Sequence, residues 1–289
     1  MKFEKLGKER ENISIEIGPF DFGNDNIIKS LENVLAFIKK NKPEILQEYT
    51  TVFTRKLQEI TNQDSFKDAS CKLAEYLNQF DHLTGNNDLI QLLLSYFVKT
   101  LGVTEEEFWE NKKQEFPDWN FFRSVRDLQL IKIKALVEII GKEEAINFYK
   151  DMTDNYIVTY DQNQKGWYKD LEEMRLHHSK FIAKNTLGRV RLLSEVKDGR
   201  YIEICLTCDK VRNYPNASAE DKELLDVTGC YCHHALTQLW NKNFKLTLNN
   251  TLAKGDPYCT YVYHDMSVAD EIVEPSKEFY DGIVAKYKD

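Results

Sequence analysis

The chain has 289 residues, 42% of them hydrophobic and 30% charged, with a formal net charge of -8 at pH 7. This is an ordinary globular balance, enough for one large domain or two modest ones whose core needs no staples. The acidic balance argues against a nucleic-acid partner, because phosphate binding needs a basic face and no cationic patch with interleaved aromatics is present.

The first residues, MKFEKLGKEREN, are charged and lack an apolar core, so they do not read as a signal peptide. The longest apolar run, Leu89 to Val98, is interrupted by Gln91 and Ser95 and amounts to about half a membrane span. No membrane partner is therefore expected, and the expected location is the cytoplasm. In that reducing compartment the six cysteines read as thiols, ligands or catalysts rather than disulfides, and the sequon at Asn216 has no meaning. Nothing in the pattern specifies an oligomeric state.

Ile13, Ile15 and Ile17 alternate with polar residues and predict one short strand. From Asn24 to about Tyr156 the period is helical. Ile27, Ile28, Leu31, Val34, Leu35 and Ile38 form one apolar stripe. Pro43 opens a second helix, Asp64 caps a third, and Asn87 or Asp88 caps a fourth that runs to Leu101. Thr104 to Glu107 reads as a capping box. A long helix runs from Asp118 to Ile140 and stops at Gly141, and another spans Lys142 to Tyr156. This half reads as an all-helical bundle.

The polar stretch Asp161 to Gly166 reads as a linker. A helix near Tyr168 to His178 follows. Two strands, Val190 to Val196 and Tyr201 to Thr207, flank Asp198-Gly199, a strong hairpin signal. Lys210 to Ala219 reads as an irregular loop, and Ser218 caps the next helix; that helix, or a second one restarting near Gly229, carries the Cys-His cluster to Trp240. Phe244 to Leu248 and Tyr258 to His264 are strands, separated by a turn at Gly255-Asp256-Pro257. The expected architecture is α+β. A helical N-terminal domain (1–160) packs on a C-terminal domain (161–289) of antiparallel sheet and flanking helices.

Five of the six cysteines fall between Cys205 and Cys259, and Cys230-Tyr231-Cys232-His233-His234 places two thiols and two imidazoles in five positions. Thiol beside imidazole is either a nucleophile with its base or a set of metal ligands. On a helix running from Cys230 to Trp240, His233 and His234 lie one turn after Cys230, on its side. If Gly229 begins that helix, Cys230 sits in its first turn, where the dipole favours thiolate. Cys230 is then the chemical candidate and Cys232 a core residue. Cys259 shares a strand face with Tyr261 and Tyr263. Asp209, after Cys208, is placed to orient an imidazole or act as a base. Cys205 taken alone reads as core, as free cysteine usually is. His177 and His178 read as a solvated face or partners of a helix C-terminus, His82 and Cys71 as structural, and the last-strand tyrosines as cross-strand packing.

Two stretches, Gly229-Cys-Tyr-Cys-His-His-Ala-Leu-Thr-Gln-Leu-Trp240 and Thr251-Leu-Ala-Lys-Gly-Asp-Pro-Tyr-Cys-Thr-Tyr261, carry a likeness. Together they resemble the C-terminal signature of the L-2-amino-thiazoline-4-carboxylic acid hydrolase family, in which a cysteine-bearing helix precedes a "T-L-A-x-G-D-x-x-C" turn and strand. The Gly-Asp-Pro-x-Cys turn is more remotely similar to ligand-binding domains named after 4-vinyl reductase. The resemblance covers roughly residues 180 to 265, with a looser likeness at Ile140 to Ala145. His233 and Thr260 stand where the family often carries aspartate, which marks a divergent member.

The resemblance implies hydrolysis, or a related transformation, of a small cyclic amidine. The expected protein is a small-molecule hydrolase or tailoring enzyme acting on a C–N or C–S bond. Its catalytic set is Cys230, His233, His234, Cys259 and Asp209. A thiolate from Cys230 attacks the amidine carbon while His233 or His234 moves protons. Alternatively a divalent metal held among Cys208, Cys230, His234 and Cys259 activates water. Two other classes stay open: a non-catalytic small-ligand-binding module and a structural zinc domain.

Overall fold

The computed structural model describes residues 1–9, 14–61, 76, 78–83, 85–184, 189–208, 214, 216–269 and 271–287. The chain divides into two compact units: a helical unit of residues 12–152 with 227–229, and a sheet unit of residues 1–11, 153–226 and 230–289. The architecture is α+β. The expected split at 160/161 lies at 152/153, and the first residues belong to the sheet unit rather than to the helical half.

In the sheet unit five antiparallel strands run in the order β1 (Phe3–Leu6), β4 (Arg191–Ser194), β5 (Arg200–Cys205), β7 (Cys259–Asp265), β6 (Phe244–Thr247). The β4–β5 hairpin turns where the sequence predicts it. Asp198 at φ 52° and Gly199 at φ 66° supply the two left-handed residues that a tight primed turn demands. A Cβ on Gly199 would also stand 2.9 Å from the Ala269 backbone nitrogen. β1 was not expected, because Phe-Glu-Lys-Leu is too short for a periodicity signal and its partner, β4, lies far along the chain.

Helices cover both faces of this sheet. Tyr168 with Leu171, Met174 and Ile182 of α8 (Leu171–Ala183), and Leu236 and Trp240 of α10 (Cys232–Trp240), pack on the face carrying Leu193, Tyr201, Cys205, Cys259, Tyr261 and Tyr263. α11 (Lys277–Lys286) sets Tyr280 and Val284 against the other face, with Leu192, Ile202, Ile204 and Val262. α11 lies beyond the last element the sequence reading assigned, although Ser276 caps it and Phe279, Tyr280, Ile283 and Val284 make a helical stripe.

Of the two expected arrangements, the chain has the second: one helix ends and another restarts, at Cys232 rather than near Gly229. α9 (Ala219–Cys230), capped by Ser218, ends where the reading had a helix begin, and α10 starts two residues on, across Tyr231. Cys230 is therefore the last residue of a helix, not in a first turn. It stands at the carbonyl end of α9, two residues before α10 begins.

In the helical unit, α1 (Pro19–Gly23) continues through a π-helical turn (Asn24–Ile28) into α2 (Lys29–Asn41), with the whole expected stripe buried. The helix starts ahead of that stripe because Pro19 suits a first turn. A 3-10 turn at Pro43–Ile45 leads into α3 (Leu46–Thr61). The expected helix at Asp64 and residue Cys71 fall outside the described residues. α4 (Asn87–Leu101) has Asn86 at its N-cap, with no side-chain cap bond, rather than Asn87 or Asp88. α5 (Glu105–Glu110) with its Thr104–Glu107 capping box, α6 (Asp118–Ile140) and α7 (Lys142–Tyr160, from Thr153 on part of the sheet unit) follow the predicted signals. The unit is not purely helical, however. β2 (Ser14–Ile17) pairs with β3 (Gln114–Pro117), a segment that buries only Phe116 and so shows no alternation in sequence. Among the described residues no helix is long and apolar enough to cross a membrane.

Candidate active site

The register of the sheet lines up chemistry in rows. Arg191 on β4 is opposite Cys205 on β5, and Cys205 is opposite Cys259 on β7. Directly opposed residues point to the same face, so a guanidinium and two thiols stand side by side across three strands. The next row is Leu193, Glu203, Tyr261, and Tyr201 opposes Tyr263 one step further.

The thiol pair is buried, with Cys205 3% and Cys259 1% exposed. With both protonated, the Cys205 thiol donates to the Thr207 carbonyl oxygen at 2.9 Å, and the Leu252 backbone N–H donates to Cys259 Sγ at 3.2 Å. That N–H opens the short 3-10 turn Leu252–Lys254, which Thr251 caps. A hydrogen bond from the Cys259 thiol draws Cys205 down to about 6; burial opposes this, and the charges of Arg191 and Arg189 assist it. The same hydrogen bond, with burial, pushes Cys259 far up. The two thiols thus titrate as a pair, the first proton leaving more readily than the second.

Behind the thiols lies a charged group that the sequence did not suggest. Glu203 is fully buried and takes hydrogen bonds from Arg191 Nη1 at 2.5 Å and the Tyr201 hydroxyl at 2.8 Å, with His178 Nδ1 at 2.5 Å. Burial alone would raise its carboxyl. The charges of His178 and Arg191 and the hydrogen bonds of His178 and Tyr201 outweigh burial and hold it well below the usual carboxylate range. His178 is 15% exposed and walled in by the rings of Tyr168, Tyr201, Trp240 and Tyr263, so it is not on a solvated face. The neighbouring His177 Nδ1 lies 2.6 Å from the Tyr168 hydroxyl. The Arg191 guanidinium lies 5.7 Å from the centre of the Tyr261 ring, and its Nε–H is buried without a hydrogen-bond partner.

Tyr261 is the hub for the remaining expected residues. Its hydroxyl is raised by burial first, then by the sulfur charges of Cys259, Cys230 and Cys205. The His233 ring stands edge-on to it at 5.2 Å. His233 thus stands against Tyr261, the charge of Cys230 reaches the same hydroxyl, and Cys205, read as core from sequence, is the partner of Cys259. Cys208 is partly exposed and near enough to act on Cys259. His234 instead lies 5.8 Å from the Tyr231 ring, whose hydroxyl donates to Asp154 at 2.9 Å. Cys232, expected in the core, is only partly buried, whereas Cys230 is 3% exposed. Asp209 lies outside the described residues.

Among the described residues no group of three or more His, Cys, Asp or Glu side chains is arranged to hold a metal ion, so Cys208, Cys230, His234 and Cys259 do not converge as a ligand set. Row position was the signal that could have found Arg191 and Glu203. Once the Asp198-Gly199 turn sets the hairpin register, both fall on the face of Cys205. The chain matches no protein-family model, no curated protein and no solved structure.

Proposed function

We propose that the sheet unit is a cysteine-dependent small-molecule hydrolase or tailoring enzyme that opens a C–N or C–S bond of a cyclic amidine of thiazoline type. The observation that carries this reading is the row Arg191, Cys205, Cys259: two directly opposed thiols beside a guanidinium, with His233 against Tyr261. A dithiol that yields one proton near neutral pH supplies the nucleophile that such chemistry needs. The resemblance at Thr251 to Tyr261 points to the substrate class.

In this scheme a thiolate of the pair attacks the amidine carbon and forms a carbon–sulfur bond. The ring carbon–sulfur bond breaks, and the departing sulfur takes a proton with His233 as the shuttle. Water then adds to the same carbon, the enzyme sulfur leaves as thiolate, and a ring-opened urea-type product is released. One water is consumed and no redox partner is needed.

Incubating the protein with 2-amino-thiazoline-4-carboxylate and following the ring-opened product by mass spectrometry tests the reading. Turnover is expected in wild type and absent in a folded Cys259→Ala variant. A folded wild-type protein that leaves the compound intact overturns this substrate assignment. One observation favours a second reading, a non-catalytic ligand-binding module: both sulfurs of the pair are almost fully buried. Inert thiols are generally buried ones. If neither Cys205 nor Cys259 is alkylated by iodoacetamide in the native protein near neutral pH, the binding module replaces the enzyme.

A further inference from the structure

We propose that Cys205 and Cys259 form an oxidation site, a dithiol that hydrogen peroxide converts to a cross-strand disulfide and that thiols reopen. The two residues are register partners on neighbouring antiparallel strands. Directly opposed residues stand about 4.5–5.5 Å apart between Cα atoms, inside the range a disulfide spans. Each sulfur is the first influence on the other's titration, as expected of register partners whose side chains share one face.

Three features favour the first oxidation step at this pair. The Arg191 guanidinium on the same row favours the thiolate, the species that attacks peroxide. Cys205 stands at the end of β5, and the chain leaves the sheet there through the partly exposed Leu206, Thr207 and Cys208, so the pair is at the rim of the sheet rather than at its middle. The oxidant is also small, which burial of the sulfurs requires.

The chemistry balances. A thiolate of the pair attacks one peroxide oxygen, the O–O bond breaks, and the departing hydroxide takes a proton and leaves as water. The sulfenic acid that results faces the second thiol. That sulfur attacks the first, the S–S bond forms, and a second water leaves. Two thiols are oxidised by one peroxide, and a dithiol reductant reverses the change by exchange. The inference holds whether or not the pair turns over a substrate. If it does, oxidation removes the nucleophile and switches the enzyme off.

The test is peptide mapping of the full-length protein treated with hydrogen peroxide under native conditions, then denatured in N-ethylmaleimide and digested. A cross-linked species joining the Cys205 and Cys259 peptides is expected, split by dithiothreitol. It should be absent in Cys259→Ser and retained in Cys208→Ala. In Cys259→Ser the sulfenic acid at Cys205 should become trappable by dimedone. Labelling of both Cys205 and Cys259 as free thiols, with oxidation confined to Cys208 or Cys232, overturns the proposal. A cross-link joining Cys205 to Cys208 overturns it equally. Loss of product formation on oxidation with no Cys205–Cys259 cross-link counts against this inference while leaving the enzyme reading in place.

Discussion

The two faces of the five-stranded sheet are built from the same strands and do opposite things. One face alternates Tyr201, Glu203 and Cys205 on β5 with Cys259, Tyr261 and Tyr263 on β7, under His178 and Trp240. The other sets Ile202 and Ile204 against Val262, Tyr258 and Tyr280. Both faces are buried, so a strand cannot separate charge from hydrocarbon by sending one to water. It separates them by parity instead. Every second residue joins an ionic and thiol network, and the residues between join an ordinary apolar core. The polar face also needs partners that the apolar face does not, because a buried carboxylate is tolerable only when its charge and lone pairs are met.

The contrast can be broken most sharply at Glu203. Glu203→Ala leaves Arg191 and His178 without the carboxylate between them and should cost about 3–5 kcal/mol, since it removes one partner of a buried ion pair. Urea unfolding measures it, and a loss below about 1 kcal/mol would mean that the carboxylate is solvated rather than buried in the folded protein. The pH profile of the same measurement sharpens the point. The folded carboxyl of Glu203 titrates below its unfolded value, so its contribution is present above the unfolded pKa of about 4.3 and is lost as pH falls toward the folded one. Glu203→Gln should flatten that acid limb, and an unchanged limb would assign it to other carboxylates.

A smaller effect is expected on the apolar face. Ile204→Val removes one methylene from a fully buried site and should cost about 0.5–1.5 kcal/mol, with no change in pH dependence. A new pH dependence in that variant would show that the faces are not independent. The smallest effect concerns His264, a histidine buried on the apolar side. It is fully buried, neither ring nitrogen has a hydrogen-bond partner among the described residues, and burial, with the Arg200 charge, lowers its pKa from the ordinary 6.5. Neutral His264 is therefore compatible with the fold above about pH 6.5, and stability declines as pH falls through that value toward the lower folded one. His264→Phe should remove this shallow slope between about pH 5 and 7 in thermal unfolding, and a slope that persists points to a different histidine.

Much of the fold is written in local signals. Thr104 with Glu107, Gly141 after Ile140, Ser218 before α9 and the Asp198-Gly199 turn all act through neighbouring backbone and were legible as such. The site was legible only in part. Cys259, Cys230 and His233 stand out by composition, and the structure sets the His233 ring against Tyr261, two residues along β7 from Cys259. What composition hides is pairing. Cys205 reads as core until β7 brings Cys259 opposite it, and Glu203 in Tyr-Ile-Glu-Ile looks like an outward residue of a half-exposed strand. His178 looked solvated because its partner sits 25 residues away on another element. The break at Tyr231 was legible only as one of two alternatives: Gly229 permits a restart, but Cys-Tyr-Cys-His-His has no proline to force one or to fix its position.

The edge strand β1 bears on how the protein is made. Its neighbourhood is tied to late residues: the Lys2 backbone N–H donates to Glu195, 193 positions on, and the Tyr287 hydroxyl donates to the Phe3 carbonyl, 284 positions on. On a ribosome adding about 5–20 residues per second, the first strand waits roughly 10–40 s for its neighbour and longer for the closing tyrosine. Until β4 is made, β1 lacks the neighbour that pairs its backbone groups in the folded sheet.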